Sequence, residues 1–238
     1  MSALMLLLPT HVQAETIRVI AFGDSITAGL YRNSNGTYLY CGATGQTSSS
    51  DPTCIGNGRV NRGGYTSDLA DLINAEGDTG VVYNWGVNGE RTSSMVNRIN
   101  SVMNATPSDY IAIMGGANDA YANVSRTTVA FNIGVMIDQA NARDTFPLVA
   151  TVTPNQSTGS LDARVQSYNP NIIALQNSKK FSLADQYTKL VSNFNAYHSG
   201  DKLHFNSAGN SRMADEWFAS LPEDNVNAAA PILLLLLD

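Results

Sequence analysis

The sequence predicts a single α/β domain built around a parallel sheet, and three observations point to it. Short apolar runs alternate with amphipathic stretches, the runs end in polar or glycine-rich turns, and neither an internal repeat nor a shift in composition marks a second unit. At 238 residues the chain can bury a core at roughly 70 to 75% of its unfolded surface.

Composition narrows the partners. Charged residues make up 14% and hydrophobic residues 43%. The charge missing relative to an average soluble domain, at about 25%, is replaced by Asn, Ser, Thr and Gly. The hydrophobic content excludes an intrinsically disordered chain. A formal net charge of −6 opposes a nucleic-acid partner, because phosphates are bound by clustered Lys and Arg. The neutral-polar surface fits an exported protein, secreted or periplasmic.

Taken in order, the chain begins MSALMLLLP and continues VQAE, an apolar stretch followed by small residues, like the end of a signal peptide without its basic start. Residues 1–14 are read as a leader and 15–222 as the domain. Ile17 to Phe22 form the first buried strand. Residues 31–62 follow as a loop longer than the ~12 to 15 residues that a compact domain holds without purpose. The loop contains both cysteines, Cys41 and Cys54, whose closeness reads as a local disulfide in an oxidising compartment, with two free thiols as the alternative. The later strands are Gly80 to Trp85, Tyr110 to Met114, Leu148 to Val152 and Phe181 to Ala184.

Between the strands, apolar residues recur at helical spacing: Tyr65, Leu69, Leu72 and Ile73; Met95, Ile99 and Met103; Val129, Ile133, Met136 and Ile137; Met213, Trp217 and Leu221. These stripes are core faces, and their methionines carry no chemistry. A helix over 161–178 contains Asn169-Pro170 and is expected to bend or restart there, because proline cannot donate to the preceding turn. After residue 222 come a polar, Ala-rich connector and the strip PILLLLLD at 231–238. Its apolar run is far short of the ~20 residues that cross a bilayer. It is read as a remnant, a cut-off anchoring tail, or a strip that contacts a membrane or a neighbouring subunit.

In an open parallel sheet the reactive groups gather beyond the carboxyl ends of the strands. Four segments belong there: Gly23-Asp24-Ser25-Ile26-Thr27, Asn84 to Thr92, Gly115 to Asp119, and Asp201-Lys202-Leu203-His204. Ser25, on a strand-to-helix turn, can present its hydroxyl but needs a base to act as a nucleophile. Of His11, His198 and His204, the last is the best base, because Asp201 three residues earlier can bond its second ring nitrogen and set the tautomer. The Ser25 N–H, the Gly89 N–H and the Asn118 side-chain amide could supply donors to a developing oxyanion. For Gly86, Gly115 and Gly116 a tight turn beside the sheet is at least as strong a reading. No metal or cofactor is implied.

The four segments together resemble the SGNH, or GDSL-type, hydrolases: GDSIT at 23–27, NWGVNG at 84–89, GAND at 116–119 and DKLH at 201–204, in family order. The resemblance implies a flavodoxin-like three-layer α/β/α fold with a central five-stranded parallel sheet. It makes Ser25 the nucleophile, His204 the general base, Asp201 its orienting partner, and Ser25, Gly89 and Asn118 the oxyanion hole. The insertion at 31–62 lies outside the minimal fold and could rim the pocket. The run Gly63 to Leu69 is also similar to members that deacetylate polysaccharides. The expected activity is hydrolysis of carboxylic esters with short acyl chains. Carbohydrate O-acetylesterase, lysophospholipase and acyltransferase activities are the alternatives, and a small acyl ester or acetylated carbohydrate is the partner.

Overall fold

The computed structural model describes residues 14–32, 38–40, 47–48 and 58–222. The leader, Cys41, Cys54, His11 and the chain from 223 onward lie outside the described residues, and with them the expected disulfide and the apolar strip at 231–238. In order, the elements are β1 (Thr16–Gly23), α1 (Ser25–Ala28), β2 (Tyr31–Arg32), β3 (Tyr38–Tyr40), β4 (Thr47–Ser48), β5 (Arg59–Val60), α2 (Thr66–Ala75), β6 (Thr79–Gly86) and α3 (Thr92–Ala105). They continue with β7 (Tyr110–Met114), α4 (Ala117–Tyr121), α5 (Arg126–Asn141), β8 (Phe146–Ala150), α6 (Leu161–Ile173), a 3-10 turn (Ala174–Asn177), β9 (Ser182–Ala184), α7 (Gln186–Val191), α8 (Phe194–Tyr197) and α9 (Ser207–Ala219).

The main sheet has the order β5-β6-β1-β7-β8-β9. Its five long-range neighbours β6, β1, β7, β8 and β9 are parallel, in the flavodoxin-like arrangement in which the winding reverses at the second and third positions, here β1 and β7. The sheet is covered on both faces: α2, α7 and α9 pack together on one side, and α3, α5 and α6 on the other. Val19 to Phe22 and all of β7 are accordingly buried, as the strands of a parallel sheet must be when helices cover both faces. Leu69, Ile73, Met95, Ile99, Val129, Ile133, Met136, Ile137, Met213 and Trp217 are each at most 1% exposed, so the helical stripes do form the core.

Several expectations need correction. The sheet has six strands rather than five, because β5 pairs antiparallel with β6 through Arg59 and Val60 and covers an edge that would otherwise present open backbone groups. The segment 31–62 is therefore not all loop, and it also holds the antiparallel strands β2, β3 and β4. The fourth parallel strand is Phe146–Ala150 rather than 148–152. Val152 leaves the ladder because the Asn169 side chain takes its N–H at 2.8 Å and its carbonyl at 3.2 Å. Helix α6 runs through Pro170 without a break. The turn that loses the Pro170 N–H is the one that Asn169 anchors to the sheet.

Candidate active site

Ser25 opens α1 at the end of β1, where the first N–H groups of a helix have no partner within the helix. Asp24 caps that turn by accepting from the Ile26 N–H at 3.0 Å. Gly23 is required just before it, since a Cβ there would stand 2.2 Å from Thr27 Oγ1 and 2.6 Å from the Met114 carbonyl oxygen. The turn ends at Gly29, with φ of 79°, against which the backbone of Gly64 packs. A Cβ on Gly29 would meet the Gly64 nitrogen at 2.2 Å. The Gly63-Gly64-Tyr65 run, which leads into α2, thus braces the serine turn, and Tyr65 is fully buried with its ring 5.7 Å from that of Trp217.

Asp201 and His204 meet as their spacing suggested. One Asp201 oxygen accepts from the N–H groups of Leu203 and His204, both at 2.9 Å, which folds the backbone into a tight turn with Lys202 at φ of 60°. The other lies 2.6 Å from His204 Nδ1. Burial raises the Asp201 pKa, but the bonds from the His204 ring and backbone outweigh it and hold the carboxyl at about 2. The carboxylate is an acceptor only, so Nδ1 carries the proton and Nε2 is left to accept. His204 Nε2 stands 2.9 Å from Ser25 Oγ, and both residues are 5% exposed. The loop is held from outside by the Gln156 N–H on the Lys202 carbonyl at 2.9 Å.

His198 stays out of this chain of bonds. Its Nδ1 accepts from the Gly200 N–H at 2.9 Å, and its ring rests 5.2 Å from that of Phe194, which makes it part of the scaffold under the loop.

The candidate oxyanion donors surround the serine turn. Gly89, at φ of 73°, is exposed, and its N–H makes no hydrogen bond among the described residues. The Gly86 N–H is already given to Asn84 Oδ1 at 3.0 Å, and a Cβ on Gly86 would strike the Ala28 nitrogen at 2.1 Å. Gly86 is therefore a packing glycine. Asn118 is the second residue of α4, and its Nδ2 donates to Asp24 Oδ2 at 3.2 Å and to the Glu90 carbonyl at 3.0 Å.

Several supporting residues were not visible from the sequence. Asp119 accepts from the Thr92 N–H at 2.9 Å and the Thr92 hydroxyl at 2.7 Å, tying the turn after β7 to the start of α3. Asn84 reaches the carbonyls of Thr27, Arg62 and Gly63 at 2.7, 2.9 and 3.1 Å. Arg98 binds Glu90. The partners of each are set by contacts across the fold, which no local spacing reports. Among the described residues, no group of three His, Cys, Asp or Glu side chains could hold a metal ion.

A flavodoxin-like sheet thus carries at its carboxyl edge a serine bonded to a histidine that is itself bonded to an aspartate, the side-chain arrangement from which serine hydrolases are built. More narrowly, the chain belongs to the GDSL-like Lipase/Acylhydrolase family, whose model matches residues 21–212. No curated protein matches it. Among solved structures it is similar to the lipase/acylhydrolase from Enterococcus faecalis, at 20% identity and a TM-score of 0.65 over 85% of this chain and 94% of that one. An acetylxylan esterase from Geobacillus stearothermophilus also shares the fold, at 15% identity and 0.65 over 87% and 94%. So does a member of the lipolytic G-D-S-L family from Veillonella parvula, at 21% and 0.60 over 86% and 98%.

Proposed function

We propose that this protein is a serine esterase that hydrolyses carboxylic esters with short acyl chains. The observation behind this reading is the line of bonds from Ser25 Oγ to His204 Nε2 at 2.9 Å and from His204 Nδ1 to Asp201 at 2.6 Å. The Ser25 oxygen attacks the ester carbonyl carbon while Nε2 takes its proton. The tetrahedral oxyanion is met by the Ser25 and Gly89 N–H groups and the Asn118 amide, each such donor typically supplying about 2.7 to 4 kcal/mol of transition-state stabilisation. The Asn118 amide turns one N–H to the oxyanion by loosening its longer bond, that to Asp24. The imidazolium then protonates the leaving alkoxide, the alcohol departs, and water repeats the sequence on the acyl-enzyme.

The test is Ser25→Ala on p-nitrophenyl acetate. Loss of turnover with an unchanged melting temperature is expected, and full turnover would refute the assignment. A second reading, carbohydrate O-acetylesterase, draws support from the likeness to an acetylxylan esterase and from Tyr121. This tyrosine lies three residues after Asn118 and is 46% exposed, with its hydroxyl bonded to Ser157, and such a ring offers a sugar an apolar face with a polar edge. Rates on p-nitrophenyl esters of increasing length beside acetylated xylan separate the two. Export to a periplasmic or extracellular site accompanies either reading as a proposal.

A further inference from the structure

We infer that Arg98 and Glu90 are positioning residues that hold the oxyanion side of the site in register, an inference that rests on the esterase reading above. Arg98 lies on α3. Its Nε stands 2.7 and 2.9 Å from the two Glu90 carboxylate oxygens, and its Nη2 stands 2.5 Å from one of them. The same Nη2 reaches the carbonyls of Gly23 at 3.1 Å and Trp85 at 2.9 Å, at the carboxyl ends of β1 and β6. The guanidinium carbon sits 4.1 Å over the Phe22 ring. One cation therefore joins the end of the strand that leads into Ser25, the end of the strand that leads into Gly89, and the side chain that follows Gly89.

Glu90 is the other half of the device. Its side chain is only 6% exposed, its carboxylate meets Arg98, and its own backbone carbonyl accepts from Asn118 Nδ2 at 3.0 Å. The position of the Glu90 backbone thus sets two oxyanion donors together: the N–H of the preceding Gly89 and the amide of Asn118. That backbone is also tied by the Glu90 N–H on the Val87 carbonyl at 3.3 Å, by the Val87 N–H on the Gly23 carbonyl at 2.9 Å and, two residues on, by Thr92 on Asp119. At Gly89 itself, which is exposed and on which an added Cβ would meet nothing within 4 Å, packing adds nothing, so the Arg98–Glu90 pair is the side-chain anchor next to that donor. A lysine would preserve the charge of Arg98 but not the fork that serves a carboxylate and two carbonyls at once.

Arg98→Lys and Glu90→Gln are the variants to measure, alongside wild type and Ser25→Ala, on p-nitrophenyl acetate. Misplacing one oxyanion donor typically lowers kcat by about 10²- to 10³-fold. Each variant is therefore expected to lose kcat by roughly 10²-fold while KM stays within about threefold, since the donors act on the transition state and not on the ground-state ester. The double variant should lose little more than either single one, because both changes release the same loop. Thermal melts define a temperature at which each variant is fully folded, and kinetics are read there. Unchanged kcat in folded Arg98→Lys and Glu90→Gln overturns the inference, as does a loss confined to KM or one that only tracks the unfolded fraction. Wild type without esterase activity, or Ser25→Ala with full activity, would instead show that the esterase reading has failed.

Discussion

Asp24 and Asn118 are bonded across the switch point of the sheet: Asp24 Oδ2 accepts from Asn118 Nδ2 at 3.2 Å, while Asp24 Oδ1 caps the helix that begins at Ser25. The residue before the serine thus orients the amide beside it. Asp24 is 1% exposed, and burial foremost raises its pKa to about 6, against the lowering effect of the Ile26 N–H bond.

A pH dependence of stability follows. Between about 4 and 6 the folded state keeps a proton on Asp24 that the unfolded state gives up, so this group makes unfolding easier as pH rises through that window. A shift of this size corresponds to about 3 kcal/mol at neutral pH. Urea unfolding of wild type and Asp24→Asn from pH 4 to 7 should show the difference between them changing by an amount of that order, with wild type losing ground as pH rises. A flat difference would contradict the buried carboxyl.

Asp201 has the opposite sign. Its carboxyl is held at about 2, below its unfolded value, so its contribution to stability is present above about pH 4 and is lost only as pH falls toward 2. No acid limb of kcat/KM above pH 4 should belong to it. Asp201→Asn, which can no longer force the proton onto Nδ1, should lower kcat by about 10³- to 10⁴-fold with the fold intact. A loss below tenfold would mean that the carboxylate does not set the tautomer.

Gly86 and Gly89 should respond differently to alanine. Gly86→Ala places a Cβ 2.1 Å from the Ala28 nitrogen and 2.7 Å from its Cα, backbone that cannot step aside, and is expected to cost about 3 kcal/mol in urea unfolding. Gly89→Ala meets no neighbour and pays only for φ of 73°, about 1 kcal/mol, and it retains the N–H, so kcat should stay within a few-fold. Equal destabilisation of the two would reverse the roles assigned to them.

Asp119→Ala removes the acceptor of both the Thr92 N–H and its hydroxyl in a buried setting. Bonds to a charged group contribute about 1.5 to 3 kcal/mol each, and the loss in unfolding free energy should reach about 3 kcal/mol. A change under 1 kcal/mol would show that α3 does not depend on this anchor.

Local pattern made much of the protein legible. The apolar runs at Ile17 to Phe22 and Tyr110 to Met114 and the stripe through Val129, Ile133, Met136 and Ile137 report burial directly, because their spacing repeats with the geometry of strand and helix. Asp201 and His204 were readable for the same reason, being three residues apart on one turn of chain. The run Gly63 to Leu69 is similar to that of polysaccharide-deacetylating members, and in the structure its Gly64 packs against Gly29 at the end of the serine turn. Strand β5 is not legible in the sequence, because its two residues carry no period.

Sequence alone determined the α/β class, the core faces and the short segments that hold Ser25, Asn118 and the Asp201–His204 pair. Tertiary structure decided that Ser25 meets His204 across 179 positions of chain, that Asn118 is shared between Asp24 and Glu90, and that Arg98 gathers the ends of β1 and β6. The division has one physical reason. Periodicity and turn chemistry are written in neighbouring residues, whereas a bond between distant loops exists only once the order of strands in the sheet has placed their carboxyl ends side by side.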